Sequence, residues 1–365
     1  MKVKLTEICT PKQWKTIPTN ALLEDGYPVY GANGIIGYYD EYNHEEPVIA
    51  ITCRGATCGT INLTVPKAYI TGNAMCLDNV CADVLPDYLY YCLLHYNFNN
   101  IISGSAQPQI TRQGLAKVEI ELHPIIEQGK IINSLRKSKA IINARQNQLQ
   151  KLDDLVKARF VEMFGMPGTD TKGWGLQYLG TCCELNPKKG TDKRLVSGLS
   201  VSFVPMPAVS ESGKIDASQI KAYDEVKTGF TYFAENDVLF AKITPCMENG
   251  KGAVAVGLCN NIGFGSTEFH ILRPINNKSN PYWLYSLTSF DAFRKDAADN
   301  MTGSAGQRRV PAVFLEKYKV TLPPIELQNQ FAAFVEQTDK SKVAVQKSLD
   351  EAQLLFDSLM QQYFG

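Results

Sequence analysis

The sequence lacks an apolar run that approaches the ~18 residues needed to cross a membrane. Its first residues, Met1 to Glu7, contain no apolar core of a signal peptide. Both absences favour a cytoplasmic protein with no membrane segment. The ten cysteines include no Cys-x-x-Cys pair, and the four histidines are scattered. Reduced, mostly buried thiols are therefore favoured over disulfide bridges or a structural zinc site.

The chain also lacks an excess of charge of either sign, because 37 Lys and Arg balance 37 Asp and Glu. A neutral protein is not expected to bind nucleic acid tightly unaided. The charge is nevertheless unevenly distributed along the chain. The net charge is −4 in residues 1–123, +4 in residues 124–165, +3 in residues 166–323 and −3 in residues 324–365.

Complete motifs for catalysis or cofactor binding are missing. Gly263-Phe264-Gly265 lacks the third glycine of a methyltransferase cofactor loop, and Asn280-Pro281-Tyr282 lacks the second proline of the Asn-Pro-Pro-aromatic signature. Gly250-Lys251 has Pro245 where a phosphate loop needs its first glycine. Glu225-Val226-Lys227 resembles a nuclease carboxylate–lysine motif only faintly, and so short a pattern recurs by chance.

What the sequence does contain is an internal repeat with a spacing of 200 residues. The matching segments are residues 122–128 (LHPIIEQ) and 322–328 (LPPIELQ), residues 163–165 (MFG) and 363–365 (YFG), and the similar loops 103–107 (SGSAQ) and 303–307 (GSAGQ). One structural unit is therefore used twice, and each copy ends in a long helix.

Residues 1–123 and 166–323 alternate short β-rich runs with turn residues, which predicts two α+β domains. The predicted elements are strands at 48–52, 59–65, 237–241 and 253–256, a turn at 31–34, and helices that begin near Tyr88 and Pro281.

Residues 124–165 and 324–365 have the pattern of two long spacer helices. Apolar residues recur at steps of four and three, at seven of ten positions in the first segment and eight of ten in the second. About 40 residues would form a helix of roughly 60 Å. The seam residues expected to pair the helices are Leu135, Ile142, Leu149, Val156, Val335, Leu349 and Phe356.

Chain connectivity predicts that the two helices run antiparallel. The first leaves domain one and arrives at domain two, and the second returns, which gives approximate two-fold symmetry. Alternatively, each helix packs only on its own domain, but globular helices average about 11–12 residues, so the length argues against this.

The chain resembles a known family, the specificity (S) subunits of type I restriction–modification systems. The resemblance rests on the domain–helix–domain–helix order, on the two helix junctions at 122–128 and 322–328, on residues 27–38 (YPVYGANGIIGY) and on residues 237–252 (DVLFAKITPCMENGKG). It covers essentially the whole chain.

The resemblance implies two target-recognition domains, each reading one half of a split site in double-stranded DNA. It implies that the spacer helices set the gap between the halves and dock two methyltransferase (M) subunits. Restriction and motor (R) subunits would join through that complex. S-adenosylmethionine, ATP and Mg²⁺ are then expected on the partner subunits, with no cofactor and no catalysis on this chain.

Residues that read DNA should offer Arg or Lys to guanine and phosphate, and Asn or Gln to adenine, from exposed loops. For each candidate the alternative is a solvated loop or a role in maintaining the fold. The candidates in domain one are Asn33, Arg54, Gln107, Gln109 and Arg112, and those in domain two are Lys242, Thr244, Asn249, Lys251, Arg308 and Arg309.

Two other functions remain open from the sequence. One is an enzyme, either a nuclease or a divergent DNA methyltransferase, that carries the same recognition module. The other is a coiled-coil scaffold for protein assembly that does not bind DNA.

Overall fold

The computed structural model describes residues 1–32, 34–104, 107–304 and 306–365. The chain divides into two compact units. Unit 1 comprises Met1–Asn147 and Gln346–Gly365, and unit 2 comprises Gln148–Val345. In these described ranges, no helix is both long and apolar enough to cross a membrane.

The strands of unit 1 are β1 (Lys2–Lys4), β2 (Thr10–Gln13), β3 (Tyr27–Gly31), β4 (Gly34–Tyr39), β5 (Ile49–Thr52), β6 (Ile61–Leu63), β7 (Tyr69–Ile70), β8 (Ala74–Asp78) and β9 (Glu119–Glu121), and the helices are α1 (Leu5–Ile8), α2 (Pro86–His95) and α3 (Arg112–Leu115). Among the described residues of this unit, the strands form three sheets. A four-stranded antiparallel sheet has the order β2-β8-β5-β6, a three-stranded sheet has the order β4-β3-β7 with β3 and β7 parallel, and β1 pairs with β9.

The core of unit 1 follows from these strands. All four residues of β5 are buried because it is a central strand whose two faces are both covered. Helix α2 begins with Pro86, a residue that suits the first helical position because its missing N–H has no partner there. Tyr88 and Leu89 of this helix are fully buried in the same core cluster.

Helix α4 spans Ile125–Phe164 without interruption. It ends where Gly165 takes a φ of 83°, a left-handed conformation that favours glycine and terminates helices. Pro167 follows two residues later, where proline is common because it cannot continue a helix.

Unit 2 repeats the plan of unit 1 with one addition. Its strands are β10 (Leu176–Tyr178), β11 (Cys183–Leu185), β12 (Ser200–Val204), β13 (Ile220–Ala222), β14 (Thr231–Ala234), β15 (Val238–Ala241), β16 (Gly252–Val254), β17 (Ile262–Gly265), β18 (Phe269–Pro274) and β19 (Lys319–Thr321), and the helices are α5 (Tyr223–Val226), α6 (Pro281–Ser289), α7 (Asp291–Asp299) and α8 (Ala312–Lys317). The antiparallel sheet has the order β11-β18-β15-β16, the mixed sheet has the order β13-β12-β17-β14 with β12 and β17 parallel, and β10 pairs with β19. The extra strand is β14.

Helix α9 spans Ile325–Phe364, so both long helices have 40 residues. In unit 2 the two run antiparallel, because Asp153 contacts Lys342 while Phe160, later in α4, contacts Phe331, earlier in α9. In unit 1, Leu135 and Ile142 of α4 share a core cluster with Phe356 of α9.

None of the predicted seam residues is fully exposed. Leu135, Ile142, Val335 and Phe356 are buried, and Leu149, Val156 and Leu349 are half-buried. Lys342 of α9 contacts α4, since its amine lies 2.7 Å from Asp153 of α4 and 3.1 Å from Asp339 of α9. Burial opposes its charged form, but the two carboxylates outweigh burial and raise the pKa of Lys342.

The short predicted elements are confirmed with shifted ends. The strand predicted at 59–65 is limited to β6, because residues 55–60 form hydrogen-bonded turns instead. The strand predicted at 253–256 is β16, and those predicted at 48–52 and 237–241 are β5 and β15. The helices predicted near Tyr88 and Pro281 are α2 and α6. The ten cysteines are free, as expected, and six of them are buried.

Candidate nucleic-acid interface

Two loops of unit 1 are held together by backbone hydrogen bonds. Ser103 and Gln109 exchange a pair of bonds of 2.9 and 2.8 Å, and Gly55 donates to the carbonyl of Pro108 at 3.1 Å. As a result Gln109 lies opposite both Ser103 and Arg54. The structure therefore brings the candidate loop around Arg54 next to the candidate loop 103–112.

The candidate side chains of these loops face solvent. Arg54, Gln107, Gln109 and Arg112 are all exposed. Arg112 is the first residue of α3, whose N-terminus is capped by the hydroxyl of Thr111. Exposed guanidinium and amide groups on joined loops form a surface that can reach phosphates and base edges.

The remaining candidate of unit 1, Asn33, lies outside the described residues. Its neighbour Ala32 is described, and the carbonyl of Ala32 accepts hydrogen bonds from the hydroxyls of Thr52 and Thr57 at 2.8 and 3.0 Å. The end of β3 is therefore tied to the segment that carries Arg54.

Unit 2 joins the corresponding loops in the same way. Thr302 and Arg309 exchange hydrogen bonds of 2.9 and 2.8 Å, and Arg309 also lies opposite Ile243. Thr244 donates to the carbonyl of Arg308 at 3.0 Å. Arg309 thus occupies the place that Gln109 has in unit 1, 200 residues earlier.

Two glutamates restrain the cations of the unit 2 loops. The guanidinium of Arg309 donates two hydrogen bonds to Glu268, at 2.9 and 2.8 Å. These bonds hold the pKa of Glu268 below its usual value. Arg308 makes a longer contact of 3.5 Å with Glu248, which also accepts a hydrogen bond from the hydroxyl of Thr244 at 3.2 Å.

The other unit 2 candidates differ in exposure. Asn249 is exposed, whereas Lys242 and Lys251 are half-buried. Burial lowers the pKa of Lys242, and the amine of Lys251 lies 3.5 Å from the carbonyl of Met206. Arg308 and Asn249 are therefore better placed to read a ligand than Lys242, Lys251, Thr244 or Arg309.

Sequence reasoning missed a buried residue that shapes this loop. Arg294 of α7 donates to the carbonyls of Met247 at 2.6 Å and Gly250 at 3.0 Å. Burial lowers its pKa to about 10. These bonds fix the backbone that presents Asn249. A lone arginine within a helix gives no sequence signal for such a role.

Sequence reasoning also missed a basic and aromatic surface beside Lys242. Lys242, Lys189, Phe230 and Tyr232 line one cavity of about 300 Å³. Phe230 is 37% exposed, and the amine of Lys189 donates to the carbonyl of Lys227. The lysines and arginine among residues 188–194 were a visible signal, since clustered basic residues are typical of nucleic-acid surfaces.

Comparison with known proteins places the chain in a family. Residues 1–152 and again residues 198–352 match the family described as type I restriction modification DNA specificity domain. Since these two matches cover most of the chain, it belongs to that family, and it is a mixed α/β protein with two specificity domains.

The relatives include the specificity subunits of the type I restriction enzymes EcoAI and EcoEI from Escherichia coli. They are 33% and 32% identical to this chain over 253 residues, which is 67% of this chain. The match spans 38% of the length of each relative.

Among solved structures, the S subunit of a type I restriction–modification system from M. genitalium has a TM-score of 0.61 and 15% identity. The similarity covers 100% of this chain and 96% of that chain. At this identity the comparison shows the shared fold.

Proposed function

We propose that this chain is a sequence-specific DNA-binding subunit of a type I restriction–modification complex. Each unit reads one half of a bipartite site in double-stranded DNA through its two joined loops. The observation that carries the proposal is the pair of backbone bridges that recurs in both units and presents exposed Arg, Gln and Asn side chains.

The long helices act as the spacer that fixes the gap between the two half-sites. Their length of 40 residues each and their antiparallel contacts in unit 2 support this role. The related plan of the two units supports an approximate two-fold symmetry, which would match two half-sites read by two domains.

The outer faces of the helices dock two methyltransferase subunits, and restriction subunits join through them. Exposed apolar side chains on the helices support this docking. Groups of leucine, isoleucine and valine that face solvent are typical of protein interaction surfaces. They are Ile141, Leu354 and Leu355 in unit 1, which are 47%, 70% and 53% exposed, and Leu155 and Val343 in unit 2, which are 49% and 71% exposed.

The chain itself is non-catalytic in this proposal, and S-adenosylmethionine, ATP and Mg²⁺ bind to the partner subunits. The chain has 37 basic and 37 acidic residues. This balance supports a DNA-binding subunit that depends on its partners for much of its affinity for DNA. Incubation of the pure chain with DNA, Mg²⁺ and S-adenosylmethionine should give neither methylation nor cleavage. Either activity would favour an enzyme that carries the same module.

A domain exchange tests whether each domain reads its own half-site. Residues 1–123 are replaced by those of a relative with a different target, and methylated sites are mapped across the genome in cells that hold the methyltransferase partner. One half-site should change, while the other half and the gap stay the same. The matched control replaces residues 166–323 and should change the opposite half. Concerted change of both halves in either chimera would contradict the proposal.

DNA binding tests the role of the partners. The chain alone should bind a duplex weakly at ~0.15 M salt, and addition of the methyltransferase should raise the affinity and its dependence on salt. Tight, sequence-specific binding by the isolated chain would contradict the dependence on partners. Lack of specific binding by the full complex would contradict the DNA-reading role itself.

A further inference from the structure

A histidine, a cysteine and a carboxylate of unit 1 come together away from the candidate DNA-reading residues. The ligand atoms of His44, Cys76 and Asp78 all lie within 4.8 Å of one another. Cys76 and Asp78 are two residues apart in β8, so their side chains leave the same face of the sheet. His44 is fixed beside them by a backbone bridge to Ala68.

The orientation of the His44 ring is set by its neighbour Asn43. The amide nitrogen of Asn43 donates to the carbonyl of Ile70 at 3.0 Å, and its oxygen accepts from the N–H of Ile70 at 2.9 Å. That same oxygen lies 2.7 Å from Nδ1 of His44, so Nδ1 must carry the proton and donate it.

Because Nδ1 is the donor, Nε2 of a neutral His44 ring presents a lone pair. Nε2 points at the carboxylate of Asp78 at 3.0 Å. Two acceptors that face each other repel unless a cation lies with them, either a proton on Nε2 or a metal ion. An oxygen acceptor that fixes the tautomer of a ligating histidine is the usual arrangement behind a metal site.

The thiol of Cys76 distinguishes between these two cations. Cys76 is fully buried, and the structure gives its thiol no hydrogen-bond partner among the residues that it describes. Two other buried cysteines do have partners, since the thiols of Cys9 and Cys183 donate to carbonyls at 3.2 and 3.5 Å. A proton on His44 leaves the Cys76 thiol without a role, whereas a metal ion uses it.

We propose that Nε2 of His44, the thiolate of Cys76 and the carboxylate of Asp78 bind one Zn²⁺ ion, with water in the fourth position. Zinc takes nitrogen, sulfur and oxygen ligands tetrahedrally at about 2.0–2.3 Å, which sets the ligand atoms roughly 3.4–3.6 Å apart. The ligand atoms now lie up to 4.8 Å apart, so binding would draw the most distant pair together by about 1.2 Å. The thiolate and carboxylate balance the charge of the ion, and the thiol proton leaves to solvent on binding.

The bound ion would have a structural role. It would fasten the loop of His44 to strand β8, and through Asn43 to strand β7. Nitrogen and sulfur ligands select zinc over Mg²⁺ or Ca²⁺, which prefer oxygen.

Metal content tests the site in the full chain. The protein is purified under reducing conditions, stripped with a chelator, reloaded with Zn²⁺, desalted and measured by mass spectrometry of the metal. We expect one zinc per wild-type chain. Co²⁺ in place of zinc should give a thiolate-to-cobalt charge-transfer absorption. A wild-type chain that binds no zinc would overturn the proposal and leave His44 and Asp78 as a simple ion pair.

Variants identify the ligands. Cys76→Ser and Asp78→Asn should each weaken zinc binding by more than about 100-fold, since even outer partners of metal ligands contribute about 10- to 100-fold. Cys81→Ser is the matched control, because this exposed cysteine lies nearby in sequence and should bind zinc and cobalt as the wild type does. Zinc retained by Asp78→Asn, whose shape is conserved, or by Cys76→Ser would contradict the assignment.

Discussion

Gln128 and Gln328 occupy the same place in the two units, at the start of each long helix. Gln128 accepts from the N–H of Leu85 at 2.9 Å and donates to the carbonyls of Asp83 and His123 at 2.9 and 2.8 Å. Gln328 repeats this pattern, with Asn280 as its donor. Both side chains are fully buried. The repeated motif therefore connects the first turn of α4 to α2 and that of α9 to α6.

Replacement of this glutamine should destabilise its unit. Gln128→Met fills the same volume but leaves three backbone groups without their partner, and each unsatisfied buried group costs about 1–3 kcal/mol. Asp83 is exposed, so water can replace the lost partner of its carbonyl. The other two groups predict a fall of about 2–6 kcal/mol in the free energy of unfolding, measured by urea denaturation followed by circular dichroism. Gln146→Met, on the exposed face of the same helix, should change it by less than about 0.5 kcal/mol. Equal effects of the two variants would show that the buried amide is not an anchor.

Two adjacent arginines should respond differently to substitution. Arg309→Ala removes both hydrogen bonds to Glu268 and should lower the unfolding midpoint, whereas Arg308→Ala should leave the midpoint unchanged and weaken DNA binding by the full complex.

Because the pKa of Glu268 is lowered, its pairing with Arg309 stabilises the fold above the unfolded pKa of the carboxyl, and this stabilisation is lost as pH falls through the folded pKa. The effect of Arg309→Ala on the midpoint should therefore shrink in acid. A pH-independent effect would contradict this.

The sequence could predict the loops that carry the candidate residues, because glycine and polar residues mark loops that interrupt β-rich runs. The sequence could not predict which side chains of those loops remain available to contact DNA and which pair within the protein. Arg309 and Glu268 lie 41 residues apart, and Arg294 lies 44 residues from Gly250, so their pairing depends on how the strands are ordered in the sheets. Such contacts have no local pattern.

At the level of elements, the long helices were the most predictable part of the chain. Their apolar spacing persists over many turns, so burial could be assigned position by position, and all seven predicted seam residues are buried or half-buried. Short strands such as β7, with two residues, carry too little pattern for the sequence to define them. The extra strand β14 was likewise not anticipated.

Two neighbouring isoleucines of α4 differ in exposure, so their variants can test helix pairing and partner docking separately. Ile142 is 1% exposed and Ile141 is 47% exposed. Ile142→Ala should reduce the free energy of unfolding by about 2–5 kcal/mol, because it leaves a cavity in the seam. Ile141→Ala should change it by less than about 0.5 kcal/mol and instead weaken binding of the methyltransferase subunit. Denaturation and pull-down of the purified partner measure the two effects, and normal partner binding by Ile141→Ala would contradict docking on this face.

At the scale of the whole molecule, the duplication accounts for features that no single unit explains. The loops, the glutamine anchors and the sheets each occur twice in this chain, once in each unit. The chain as a whole has no net charge. A protein that reads two half-sites needs each unit to bind only weakly, because joint binding of both halves multiplies the effect. A chain with no net charge is consistent with this requirement.

The proposed spacer can be lengthened at the points where the units divide. Seven residues are inserted between Asn147 and Gln148 of α4 and seven between Val345 and Gln346 of α9. A heptad preserves the apolar register of a paired helix. At ~1.5 Å per residue it adds roughly 10 Å, which corresponds to about three base pairs at ~3.4 Å each.

In complex with the methyltransferase subunits, the lengthened chain should direct methylation to sites whose half-sites are unchanged but whose gap is longer by about three base pairs. The insertion also turns one reading surface around the duplex by roughly a quarter to a third of a turn. If the methyltransferase subunits cannot follow that rotation, methylation should be lost altogether while DNA binding by each half remains. Insertion into α9 alone is the control and should abolish methylation, because the seams no longer match. Full methylation with an unchanged gap would show that the helices do not set the spacing.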